Sequence, residues 1–345
     1  MKKIALVLAI LLVGTLFGCA AKEDSNTLYV LNWGDYIDEA LLTQFEEETG
    51  IQVNYTTMAT NEEMMVKLEE ADCIYDVCFP SDYIIERLIQ KDLLHELNKD
   101  NIPNLQYIDE RFLDLDFDPE NKYSVPYMWG TVGILYNTTM VQEPVTSWDI
   151  LWDETYADQI LMYDSIRDTI GVALMKLGYS INTRNEADIQ AAEEALIAQK
   201  PIVQAYLGDP IKDRLISGGA AMGIVYSGDA MWCMYENPDL AYAVPETGSN
   251  LWFDNIIIPK TSDNTEAAEA FINFLCSPEI SSANMEFLGY SVPSTAAKEL
   301  MDPEVAGSKV AYPDADTLTT GTSFNFLPEE TSRYMESLFM EVRNG

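Results

Sequence analysis

The chain of 345 residues carries 57 acidic and only 20 basic side chains, a formal net charge of −37 at pH 7, with 48% hydrophobic residues. So negative a balance excludes nucleic acid as a partner, because binding there begins with neutralised phosphates. The length exceeds what one hydrophobic core usually serves, so two compact units are expected.

Lys2 and Lys3 precede an apolar run, Ile4 to Val13, that continues through Leu16 and Phe17 to Gly18-Cys19. A spanning helix needs about 20 apolar residues, so this shorter run reads as a signal peptide over residues 1–18. Leu16-Phe17-Gly18-Cys19 resembles a bacterial lipobox. That implies an acylated Cys19 as the new N-terminus, anchoring the mature chain to the outer side of the cell membrane.

Beyond this segment, helix and strand periods alternate, the pattern of a parallel sheet covered by helices. Thr27–Trp33 is a short apolar strand. Ile37, Leu41, Leu42 and Phe45 recur at helical spacing, and Gly50 stands where a helix end favours positive φ. A strand at Ile51–Tyr55 follows. Thr60 and Glu63 have the spacing of a capping box ahead of Met64, Met65 and Leu68, and Tyr75–Phe79 is the third strand. A second unit begins near the strand Val132–Tyr136 and repeats strand-to-helix steps at Ile160–Tyr163, Ile202–Tyr206 and Met222–Tyr226. Trp252–Pro259 and the helical period Thr265–Leu275 return the chain to the first unit. The expectation is therefore an α/β protein of two discontinuous lobes with a cleft between them: 27–131 plus 256–316, and 132–255 plus 317–345.

Ligands of open α/β sheets sit beyond the C-terminal ends of the strands. There the sequence places Trp33-Gly34-Asp35-Tyr36, Pro80-Ser81-Asp82-Tyr83, Asp164-Ser165-Ile166-Arg167-Asp168 and Tyr226-Ser227-Gly228-Asp229, joined by Leu251-Trp252-Phe253-Asp254 and Gly289-Tyr290. Aromatic rings attract ammonium ions, by about 0.5–2 kcal/mol each, and carboxylates accept their N–H protons. The mixture suits a long, thin, multiply charged organic cation. Taken singly, Trp33 and Trp252 read equally as core aromatics, and Asp35, Asp164 and Asp229 as helix caps.

Asn32-Trp33-Gly34-Asp35-Tyr36-Ile37, Glu48-Thr49-Gly50-Ile51, Tyr123–Gly130 and Leu251–Asn255 resemble the spermidine/putrescine-binding proteins of ABC transporters, along nearly the whole mature chain. The resemblance implies a type II periplasmic-binding-protein fold, no catalysis, no cofactor, and a partner permease for a monomeric, lipid-anchored carrier of polyamines. It points to Trp33, Asp35, Tyr36, Ser81 and Tyr83 on one side of the cleft. On the other it points to Asp168, Tyr226 and Asp229, with Trp252, Asp254 and Tyr290 completing the set; Asp254 is expected to hold an amine. Ser165 stands where the spermidine-preferring pattern has aspartate, and Tyr226 replaces a tryptophan. The glutamine of the C-terminal tail has no counterpart around Ser323-Phe324-Asn325. Gly228-Asp229 is similar to putrescine-preferring relatives, where the acid holds a terminal amine. Putrescine and spermidine both remain open.

Two other classes compete. A hydrolase lacks its usual base, since His95 is the only histidine and sits in the polar run Lys91–Lys99, and no G-x-S-x-G turn occurs; paired carboxylates leave glycoside hydrolysis open. A calcium loop at Asp114-Leu115-Asp116-Phe117-Asp118 would need glycine sixth and glutamate twelfth, where Pro119 and Val125 stand, so this run is expected to be a solvated loop. Cys73, Cys78, Cys233 and Cys276 form no C-x-x-C pair. They are expected as buried thiols, with a Cys73–Cys78 bridge left open.

Overall fold

The computed structural model describes residues 26–344; the signal peptide and Cys19 lie outside the described residues. Its strands are β1 (Thr27–Trp33), β2 (Gln52–Met58), β3 (Val77–Cys78), β4 (Ser124–Asn137), β5 (Ile160–Tyr163), β6 (Val203–Leu207), β7 (Met222–Tyr226), β8 (Leu240–Ala243) and β9 (Leu251–Ile257). They run in the order β2-β1-β3-β9-β4-β7-β5-β6, with β8 also paired to β4.

β1 pairs in parallel with β2 and β3, and β5 with β6 and β7. Each parallel set needs helical crossovers, which cover both faces of its inner strands, while the edge strands β2 and β6 stay partly exposed. Leu28, Val30 and Leu31 of β1 and Leu161 and Met162 of β5 are accordingly buried. The helix Glu39–Thr49 starts at Asp38, whose carboxylate accepts the Ala40 N–H at 3.0 Å, and ends at Gly50 with φ 74°. Thr60 caps the helix Asn61–Glu69 by accepting the Glu63 N–H, while the Glu63 carboxylate reaches back to the Ala59 N–H.

β4 joins the two sets. Its first half, Ser124–Thr131, pairs antiparallel with β9, and its second half, Val132–Tyr136, with β7. The expected strand at Val132–Tyr136 is thus the far half of a 14-residue strand. β9 pairs with the first half of β4 along its whole length. The change of sheet on the return therefore lies ahead of Leu251, not between Asn255 and Ile256 as expected.

The tail closes onto the second set. Thr322 bridges Asn250, and the helix Glu329–Asn344 packs on the helices Ile166–Lys176 and Glu186–Gln199 with Met335, Leu338, Phe339 and Val342 buried. Arg343 pairs with Asp164, which removes Asp164 from the candidate site.

The acidic run and His95 are each partly held by the fold. Asp114 and Asp116 are exposed, as a solvated loop requires, while Asp118 is buried and holds the turn together, accepting the Ser124 N–H at 2.8 Å and its hydroxyl at 2.7 Å. His95 is half-buried, its ring Nε2 3.1 Å from the Ser262 carbonyl and its backbone N–H bonded to Ile258. The four cysteines among the described residues are buried free thiols.

Candidate functional site

A chain of ring contacts links residues at the ends of β1, β5 and β7 and at the start of β9. Tyr36 meets Tyr290 edge-on at 5.2 Å, Tyr290 meets Trp252 at 5.6 Å, Trp252 meets Tyr226 at 6.0 Å, and Tyr226 meets Tyr163 at 5.0 Å. Two glycines make room. A Cβ on Gly130 would stand 2.6 Å from the Trp252 ring, and one on Gly228 would stand 2.2 Å from the Tyr290 ring.

Each tyrosine of this chain addresses a carboxylate. Tyr36 donates to Asp254 Oδ2 at 2.7 Å, and Tyr226 to Asp168 Oδ2 at 2.7 Å. Tyr290 donates to Asp229 Oδ1 at 2.8 Å, and Tyr163 to Asp229 Oδ2 at 3.0 Å. Ser165 caps the helix Ile166–Lys176 and also donates to Asp168 Oδ2 at 2.6 Å. Asp229 is therefore no helix cap: it is the third residue of the helix Ser227–Glu236, with its carboxylate turned inward to two phenols.

Burial is the dominant electrostatic fact. Asp168, Asp229 and Asp254 are all buried. Desolvation raises the Asp254 pKa to about 6 against smaller opposing effects of Ser81 and Tyr36. It also raises Asp168 against Ser165 and Tyr226, and Asp229 against Lys212 and the two tyrosines. Oδ1 of Asp254, Oδ1 of Asp168 and Oδ2 of Asp82 are buried and have no hydrogen-bond partner among the described residues. An unmatched buried acceptor of this kind costs roughly 1–3 kcal/mol, more when charged, and an ammonium group is the kind of donor that each lacks.

The other expected residues divide. Ser81 bridges Asp254 through its backbone, while Asn61 donates to the Ser81 hydroxyl at 3.1 Å and to the Tyr83 hydroxyl at 2.9 Å. The Tyr83 ring carries the Arg167 guanidinium 5.4 Å from its centre, with Phe324 of the tail on the guanidinium's other contact at 4.2 Å. The cation on Tyr83 is thus the protein's own. Trp33 gives its indole N–H to the Phe79 carbonyl at 2.8 Å and takes no part in the ring chain. Asp35 lies on an exposed turn with φ 49° and touches none of the three buried acids directly.

Sequence reading missed Asp82, Asn61, Tyr163, Arg167 and Lys212. Asp82 is buried beside Asp254, and desolvation holds its pKa well above the usual range. Lys212 places its ammonium 3.5 Å from Asp229 Oδ1. It follows the end of β6, so the strand-end rule that found the others could have found it.

A family model described as bacterial extracellular solute-binding protein matches residues 40–313. The spermidine/putrescine-binding periplasmic proteins of Salmonella typhimurium and Escherichia coli are each 36% identical over 328 residues, 94% of this chain and 94% of their own. Among solved structures, the spermidine/putrescine substrate-binding protein PotD of Streptococcus pneumoniae is similar with a TM-score of 0.83 at 40% identity, covering 93% of this chain and 99% of that one. The TpPotD lipoprotein of Treponema pallidum is similar with a TM-score of 0.84 at 27% identity, covering 92% and 100%. With the sheet order and the acid–aromatic cleft, these likenesses establish that the chain belongs to the bacterial extracellular solute-binding proteins, in the group that includes the spermidine/putrescine-binding proteins.

Proposed function

We propose that this chain captures a polyamine, putrescine or spermidine, in the cleft and delivers it to the permease of an ABC importer. The observation that carries the reading is the pair of buried, unpartnered carboxylate oxygens, Asp254 Oδ1 and Asp168 Oδ1, set among Tyr36, Trp252, Tyr226 and Tyr290. Ammonium groups satisfy such acceptors with charge-assisted hydrogen bonds, and methylenes between them lie on the rings. Ser81, Tyr83, Trp33 and Asp35 then serve as the supporting wall and rim. The lobes are assigned as 27–131 plus 251–316, and 132–250 plus 317–345. The mature chain acts as a monomer outside the cytoplasm, held by a lipid on Cys19; the lipoprotein name of the Treponema pallidum relative supports that anchor.

Calorimetric titration of the mature chain tests the reading. Putrescine or spermidine binds at micromolar affinity or tighter, more weakly as salt rises, while maltose and neutral amino acids give no heat. Asp254→Asn removes charge but keeps shape, and costs about 2–5 kcal/mol of binding without lowering the melting temperature of the ligand-free protein. Tight binding of maltose, or full polyamine affinity in the variant, would overturn it.

A further inference from the structure

Four buried carboxylates gather at the site, and the protein treats them differently: Asp82, beside Asp254, leaves one oxygen without a donor. Asp254 and Asp168 each leave one oxygen without a donor. Asp229 leaves none: Tyr290 and Tyr163 take one oxygen each, and the Lys212 ammonium stands 3.5 Å from Oδ1. Resting on the polyamine reading, we propose that Lys212 is a specificity-determining residue, a tethered ammonium that occupies the Asp229 end of the cleft and makes the site one for diamines over triamines.

Lys212 comes from the short helix Ile211–Ile216, which packs against the helix Ser227–Glu236 that carries Asp229. Its side chain is only 21% exposed. Burial acts to lower its pKa, but the carboxylates of Asp229, Asp209 and Asp35 together outweigh that and keep it above the ordinary value. The group is therefore a permanent cation at neutral pH. A ligand with two ammonium groups meets Asp254 and Asp168 and leaves the Lys212 pair intact. The bare oxygen of Asp82 belongs to the Asp254 end, so a third ammonium directed toward Asp229 finds no open carboxylate oxygen there and meets a like charge held in place. Like-charge juxtaposition is the usual means by which a site rejects a near relative of its ligand.

The proposal is tested by measuring putrescine and spermidine affinities of the wild type, Lys212→Met and Lys212→Arg by calorimetry, with melting temperatures to confirm folding. The wild type binds putrescine more tightly than spermidine. Lys212→Met shifts the ratio toward spermidine by at least about tenfold, or 1.4 kcal/mol, whereas Lys212→Arg, which keeps the charge, stays near the wild-type ratio. Lys212→Gln provides the same reading should the methionine variant fail to fold. A spermidine preference in the wild type overturns the proposal. So does an unchanged ratio in a charge-free variant that still binds putrescine, and in both cases the polyamine reading stands. Absence of polyamine binding in every protein overturns both.

Discussion

Asp254 shows how a residue can be poised for a ligand at the expense of the empty protein. It sits on β9 with one oxygen held by Tyr36 and the other bare, and burial lifts its pKa to about 6. An unfolded aspartate titrates near 3.9. Folding therefore takes up a proton between these values, so the ligand-free protein loses this contribution to stability as pH rises from about 4 to about 6 and changes little above. Binding runs the other way, because an ammonium ligand needs the carboxylate ionised. Polyamine affinity is expected to be level between pH 7 and 8. Below about 6 it falls by about tenfold per pH unit, since primary ammonium groups of lysine type stay charged there; the raised Asp168 and Asp229 act in the same direction. Titrations at pH 7.5, 6 and 5 check this, and an affinity constant across that range would rule out a buried acid as the anchor. Asp168 and Asp229 were legible from the sequence because they follow the ends of β5 and β7, whereas Asp254, inside β9, was carried by the resemblance of Leu251–Asn255. Tyr163 and Asn61 were not, since their roles come from contacts between distant segments that no local spacing records.

At the scale of elements, strands bounded by clear turn residues were read to the residue: β1, β5 and β7, and the helix Thr265–Leu275. β4 was read short for a physical reason. Pro126 cannot donate to a ladder, and the pairing with β9 shifts register between Pro126 and Met128, so the apolar run looked broken where the strand continues. The most consequential contact between elements is that of the helix Ser227–Glu236 with Tyr290, and Gly228 is its condition. Gly228→Ala must displace the Tyr290 ring from 2.2 Å contact and break its bond to Asp229. Polyamine affinity is expected to drop at least tenfold, while the melting temperature falls by no more than a few degrees, the range of overpacking by one methyl at about 1–3 kcal/mol. Wild-type affinity in that variant would show that Tyr290 does not shape the site.

For the whole molecule, the acidic surface and the cleft work on the same ligand at different ranges. A net charge of −37 raises the local concentration of cations and speeds their capture, whereas selection among cations falls to the buried groups. The two-lobed α/β architecture was readable because helical and strand periods alternate twice along the chain, but the return crossing was not, because β9 reads as one apolar run whose pairing with β4 no local pattern shows. The tail was not, because its helix Glu329–Asn344 finds its partners only in the assembled second lobe, and Phe324 finds its own against Arg167 and Tyr83. The central claim is that two ammonium groups meet the bare oxygens of Asp254 and Asp168 while Lys212 keeps Asp229. A crystal structure of the mature chain with putrescine tests it most directly. The account predicts one ligand nitrogen about 3 Å from Asp254 Oδ1 and the other about 3 Å from Asp168 Oδ1, methylenes against Trp252, and Lys212 still on Asp229. A putrescine nitrogen bound to Asp229 with Lys212 displaced, or a ligand bound away from Asp254, would contradict it.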